Sequence, residues 1–131
     1  MIGGSGEKKT IPLAARHFDH LNVIAGFDEL PRKLDAVRRA CEEVGRDPAT
    51  LETSTLTTVM IDDNASLDQI PAEMTQRMVV GNPDSVADQI KTKVIDAGID
   101  AGIDSVIINL PFYTPGFVQA AGEALRPLVG A

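Results

Sequence analysis

Apolar positions along this chain recur at two alternating spacings. Ile11, Ala14, Ala15 and Phe18 fall three and four apart, so residues 9–18 read as a helix with Pro12 in its first turn. His20 to Ile24 reads as a short strand that ends at Gly26. Asp28 is placed to cap a second helix, in which Leu30, Leu34, Val37, Cys41 and Val44 keep helical spacing, with Gly45 as its stop and Pro48 just beyond. Leu51 to Ile61 is the longest strand candidate, rich in threonine and β-branched residues. Leu67 to Met78 reads as one or two short helical turns within a longer connection. Asn82 caps the next helix, with Pro83 and Asp84 in its first turn and Val86, Ile90, Val94 and Ala97 as its buried stripe. Ser105 to Leu110 is a buried strand, closed by Pro111. Thr114-Pro115 is read as the cap of the last helix, whose core face is read as Val118, Ala121, Leu125 and Leu128.

The order is turn, helix, strand, helix, strand, helix, strand, helix. Such alternation implies a parallel sheet with right-handed crossovers. The expectation is an α/β fold with about three parallel strands, a stub of a fourth, and about four helices. Two local features refine it. Thr53-Ser-Thr-Leu-Thr-Thr58 puts hydroxyls on both faces of its strand, which suits a strand with one face toward a half-polar interior. The five-residue unit Asp96–Asp100 is almost repeated by Ala101–Asp104. Gly102-Ile103-Asp104 adjoin the strand and should form its entry, leaving the first copy as added length.

Composition narrows the function. The 131 residues suffice for one domain with a real core, and no low-complexity linker divides them. The net charge of −7 argues against nucleic acid and anionic membranes as partners. No apolar run has the length of a membrane span, and a cytoplasmic location is expected. The single cysteine, Cys41, lies in an apolar stripe and reads as a buried thiol. His17 and His20 flank Asp19 with no nucleophile paired to either, and no metal site is expected from two histidines alone.

The strongest chemical signal is Gly3-Gly-Ser-Gly6 opening into the first helix. Backbone N–H groups in such a turn suit a phosphate, and Lys8 and Lys9 would add attraction for an anion.

Taken in order, several segments resemble a family. They are Ile2–Glu7 leading to Ala15–Asp19 and Leu21–Val23, then Glu43-Val-Gly-Arg-Asp-Pro48, then Gly81–Val86 leading to Asp104–Leu110. The chain resembles the C-terminal portion of the luciferase-like monooxygenases, in particular the deazaflavin-using branch. That resemblance implies a partial (half) TIM barrel over residues 1–131, lacking the N-terminal strands of the family barrel. Met1-Ile2 would end the fifth strand, and His20–Ile24, Leu51–Ile61 and Ser105–Leu110 would be the sixth to eighth. It also implies that the cofactor phosphate sits at Gly3, Gly4, Ser5 and Gly6, with Thr10 beside them. The cofactor would be a deazaflavin or FMN, and the substrate a small organic molecule. No catalytic residue carries over, and the chain by itself is expected to be inactive. The alternative is a non-catalytic half-barrel. In either case its unpaired strand edges imply a homo-oligomer, most simply a dimer.

Overall fold

A computed structural model describes residues 1–64, 68, 70–97, 102–111 and 114–129. In chain order the elements are β1 (Ile2–Gly4), α1 (Thr10–His17), β2 (His20–Val23), α2 (Leu30–Glu43), β3 (Glu52–Ile61), α3 (Ala72–Thr75), β4 (Met78–Gly81), α4 (Pro83–Ile90), β5 (Ser105–Asn109) and α5 (Pro115–Leu125). A π-helical segment, Lys91–Asp96, carries α4 onward. All five strands are parallel and form one sheet. Among the described residues no helix is long and apolar enough to cross a membrane.

The fold class is the expected one, and the sheet is larger than about three strands. β1 forms because Ile2, Gly3 and Gly4 pair with Leu21, Asn22 and Val23. β4 lies inside and just beyond the region read as a helical connection. It pairs Met78–Gly81 with Thr58–Ile61 of β3. Thr55 has Val23 on one side and Val106 on the other, and Thr58 has Met78 and Asn109. β5 therefore takes one edge of β3, while β2 and β4 share the other end to end.

The long helices bury their stripes on one face of this sheet. Ile11, Ala14 and Ala15 of α1 and Leu30, Leu34, Val37 and Cys41 of α2 form one core with Leu21 and Val23. Val86, Ile90 and Val94 join Val59, Val79 and Ala121 in a second. Full burial of side chains such as Ile11, Leu21 and Leu30 contributes about 1.5–3 kcal/mol each. Cys41 is buried in the first core, and burial raises its thiol pKa. Thr57 lies between the two cores, and its buried hydroxyl has no partner among the described residues.

Two local expectations change. Asp28 does not cap α2: a turn at residues 27–29 precedes the helix, and Leu30 N–H donates to the Gly26 carbonyl at 3.1 Å. Val118 is 51% exposed, and the buried residues of α5 are Ala121 and Ala124. The polar strand β3 does carry hydroxyls on both faces, with Thr53, Thr55 and Thr57 on the helix-covered one.

The doubled unit resolves in favour of its second copy. Asp104 N–H donates to the Thr53 carbonyl at 3.0 Å, and Thr53 N–H donates to the Asp104 carboxylate at 2.8 Å. The Thr53 hydroxyl also donates to the Gly102 carbonyl at 3.0 Å. Asp96 and Ala97 of the first copy continue the helix, while Gly98, Ile99 and Asp100 lie outside the described residues.

Arg46, in one of the segments carrying the family resemblance, has a structural task. Its guanidinium donates to the carbonyls of Ala15, Phe18 and Thr50 at 3.2, 2.7 and 2.8 Å. It thereby satisfies the open carbonyl end of α1 and ties it to the entry of β3.

Candidate functional site

Gly3–Gly6 and Thr10 come together at the C-terminal end of β1, where the chain turns into α1. Gly4 has φ +147°, and a Cβ there would stand 2.8 Å from Thr10 Cγ2. Only glycine lets the strand end this close to the helix start. A Cβ on Gly6 would meet Thr10 Oγ1 at 3.2 Å, so Thr10 packs against both glycines. The Gly6 carbonyl accepts from Ile11 N–H at 2.9 Å. α1 begins with no side-chain cap and no acidic residue in its first turn. Among the described residues, the N–H groups of residues 5–10 have no protein acceptor. The turn therefore presents donors, as an anion requires.

The sequence reading missed Lys33. This α2 side chain is only 12% exposed, and its ammonium donates to the Ser5 carbonyl at 3.0 Å and to the Glu7 carboxylate at 3.2 Å. The hydrogen bond from Lys33, and then its charge, hold the Glu7 carboxyl below the usual carboxylate range. Arg32 stands 3.8 Å from the same carboxylate. A largely covered cation thus anchors the turn, and Glu7 supplies the negative charge beside it. Lys33 lies 28 residues from Ser5, so no local pattern announces the pairing. The one signal was a lysine on the buried side of α2, three residues after Leu30 and four before Val37, where a charge needs a partner.

The opposite face of the sheet carries a second polar group. Gly3, Asn22, Ser54 and Ser105 are register partners and form one row across four strands. Asn22 donates to Ser54 Oγ at 3.0 Å, and His20 Nε2 lies 2.7 Å from the same oxygen. His20 Nδ1 stands 4.0 Å from the Glu52 carboxylate. Higher on this face, Asn109 donates to Thr58 Oγ1 at 3.2 Å. A hydroxyl beside an imidazole that in turn faces a carboxylate suggests a nucleophile, but Ser54 is fully buried and already holds two partners. These groups satisfy one another. His17 is exposed on α1 and does not join them.

An apolar cleft of about 350 Å³ lies between the end of α4, β5 and the C-terminal turn, lined by Ile90, Ile95, Val106, Ile108, Leu125 and Leu128. The carboxylate at its rim, Asp104, is occupied by Thr53.

No protein-family model matches the chain, and no curated protein matches it in sequence. Solved structures match its fold. An F420-dependent secondary alcohol dehydrogenase in complex with an F420-acetone adduct superposes with a TM-score of 0.72 at 15% identity, over 98% of this chain and 48% of that one. The EDTA monooxygenase EmoA from Chelativorans sp. BNC1 gives 0.70 at 16% identity, over 96% and 42%. The oxygenating constituent of 3,6-diketocamphane monooxygenase from Pseudomonas putida, in complex with FMN, gives 0.65 at 16% identity, over 99% and 48%. The chain therefore spans about half the length of these structures. What it shares with the luciferase-like enzymes is the fold, a parallel α/β sheet corresponding to about half of a TIM-like barrel.

Proposed function

We propose that this chain is a half-barrel of luciferase-like oxidoreductase type, and that its Gly3–Gly6 turn holds the phosphate of FMN or a deazaflavin. The observation that carries this reading is the Gly4 turn itself. It stands at the C-terminal end of a parallel strand, where barrels of this kind bind ligands. It has a positive φ, offers N–H groups without protein acceptors, and is backed by the Lys33 ammonium bound to the Ser5 carbonyl. Thr10 Oγ1 borders both glycines and adds a hydroxyl. The cofactor, when bound, would supply hydride or oxygen chemistry. The chain's own part is to fix the phosphate end.

A second reading has its own support. The polar groups of the helix-free face are satisfied among themselves, with Ser54 taken by His20 and Asn22. A half-barrel that binds cofactor without turning over substrate matches that arrangement.

Titrating the protein with FMN and with F420, following ligand fluorescence and backbone amide shifts, tests the reading. Shifts concentrated in residues 3–10, lost in Gly4→Val, are expected. Shifts elsewhere, or none at millimolar ligand, would refute the phosphate site. Adding a reductant and a small alcohol or ketone to the complex then separates an enzyme from a binding module.

A further inference from the structure

We infer that two copies of this chain close one eight-stranded barrel, with β1 of each copy lying parallel against β5 of the other. This rests on the half-barrel reading and adds its partner and its register.

The first argument is the strand count. At the level of Thr55 the sheet reads β1, β2, β3, β5, because β4 continues the edge of β3 above β2 and adds no width. Four strands per copy make eight in two, the number in a closed parallel barrel of shear 8. A two-fold axis along the barrel keeps every strand parallel and joins unlike edges. Among the described residues β1 pairs only with β2, and β5 only with β3, so each copy offers one edge of each kind.

Shear fixes the register. A closed barrel of shear 8 with two-fold symmetry shifts four residues per half. The row Gly3–Asn22–Ser54–Ser105 then places the second copy's Gly3 opposite either Asn109 or position 101. Only the first lays β1 against β5, with Ile2 and Gly3 opposite Ile108 and Asn109 and Gly4 opposite Leu110 just beyond the strand. It pairs Ile2 with Ile108, both of which pack toward the helix-covered face.

The surfaces agree. Ile24 (41%) and Ile107 (36%) are exposed on the helix-free face and would become interior. Closure brings α5 of one copy beside α1 of the other, and these helices carry the exposed Val118 and Leu13. Residues 8–17 contain Lys8, Lys9, Arg16 and His17 with no acid, whereas the one charged residue of α5 is Glu123. Each Gly4 turn would then stand next to the second copy's Asn109, so the rim of each site is completed by the other chain.

Sedimentation equilibrium over a concentration series should give twice the 13.9 kDa chain mass. Ile107→Asp, on an already exposed side chain, should weaken association at least tenfold while leaving the circular dichroism unchanged. Ile2→Cys with Ile108→Cys should form a covalent dimer on mild oxidation, and neither single variant should, since Cys41 is buried. A monomer at every concentration, an open-ended series of larger species, a stable complex only with a different polypeptide, or a dimer that the cysteine pair does not trap would each overturn the closure. A dimer without phosphate binding would overturn only the cofactor reading, and a monomer that binds phosphate only the closure.

Discussion

Two turns leave the same end of the sheet, one after β1 into α1 and one after β4 into α4. Both pivot on a glycine of similar backbone, Gly4 at φ +147° and Gly81 at φ +152°. Both bring that glycine against a hydroxyl residue of the coming helix, Thr10 in one and Ser85 in the other. They then diverge. In the second, Asn82 Oδ1 accepts from Ser85 N–H at 2.8 Å, and Asp84 sits in the first turn. In the first, Lys9 occupies the cap position and its side chain accepts nothing. The same geometry is thus sealed by a side chain in one place and left with unused donors in the other. Of the two turns, only the uncapped one keeps backbone donors free for a ligand.

Substituting the two glycines should give the largest effects. Gly4→Val and Gly81→Val should each lose about 2–3 kcal/mol in chemical denaturation, since a side chain would be forced into a positive φ and a close contact. Only the first should also abolish anion-induced amide shifts. Equal loss of those shifts in both variants would erase the distinction between the turns.

Exchanging the caps comes next. Asn82→Ala should cost about 1 kcal/mol. Lys9→Asn, which gives α1 what α4 already has, should raise stability by up to about 1 kcal/mol and weaken sulfate binding. Unchanged sulfate affinity would mean that the α1 donors are not the binding groups.

The smallest effect concerns Glu7. Its carboxyl is held below the ordinary value of 4.5 by Lys33, so their pairing is fully present above that pH and is lost as pH falls through the lowered value. Sulfate, which stays a dianion there, should bind tighter as Glu7 protonates. Glu7→Gln should bring that gain, about threefold, to neutral pH and flatten the pH profile. A profile that persists in the variant would assign the titration to another group.

The contrast between the turns was half visible in the residues. Asn82-Pro-Asp84 reads directly as a cap because side-chain capping is local. The Gly3–Gly6 turn was equally plain, but its charge balance was not, because Lys33 reaches it from another helix. α2 was legible from the spacing of Leu30, Leu34, Val37 and Cys41, although its Asp28 cap was not realised. β4 was not legible. Four residues running straight into Asn82 carry too little periodicity, and they become a strand because β3 extends beyond β2 and leaves an edge to fill. The row Gly3–Asn22–Ser54–Ser105 depends on register, which no single segment encodes. Val118 was misplaced because α5 buries small residues, Ala121 and Ala124, where the reading looked for large ones.

The π-helical segment Lys91–Asp96 bears on how this chain can change length. Every residue added to an α-helix rotates the downstream turns by about 100° and would swing an apolar stripe off its core. A wider turn takes up the surplus locally, and Ile90 and Val94 both stay buried across it. The repeated Asp-Ala-Gly-Ile-Asp unit starts where that segment ends. Beyond it, Asp104 and Thr53 clasp the entry of β5 and fix where the strand begins. The end of α4 and the start of β5 are therefore held separately, the first by the packing of Ile90 and Val94 and the second by the Asp104–Thr53 clasp.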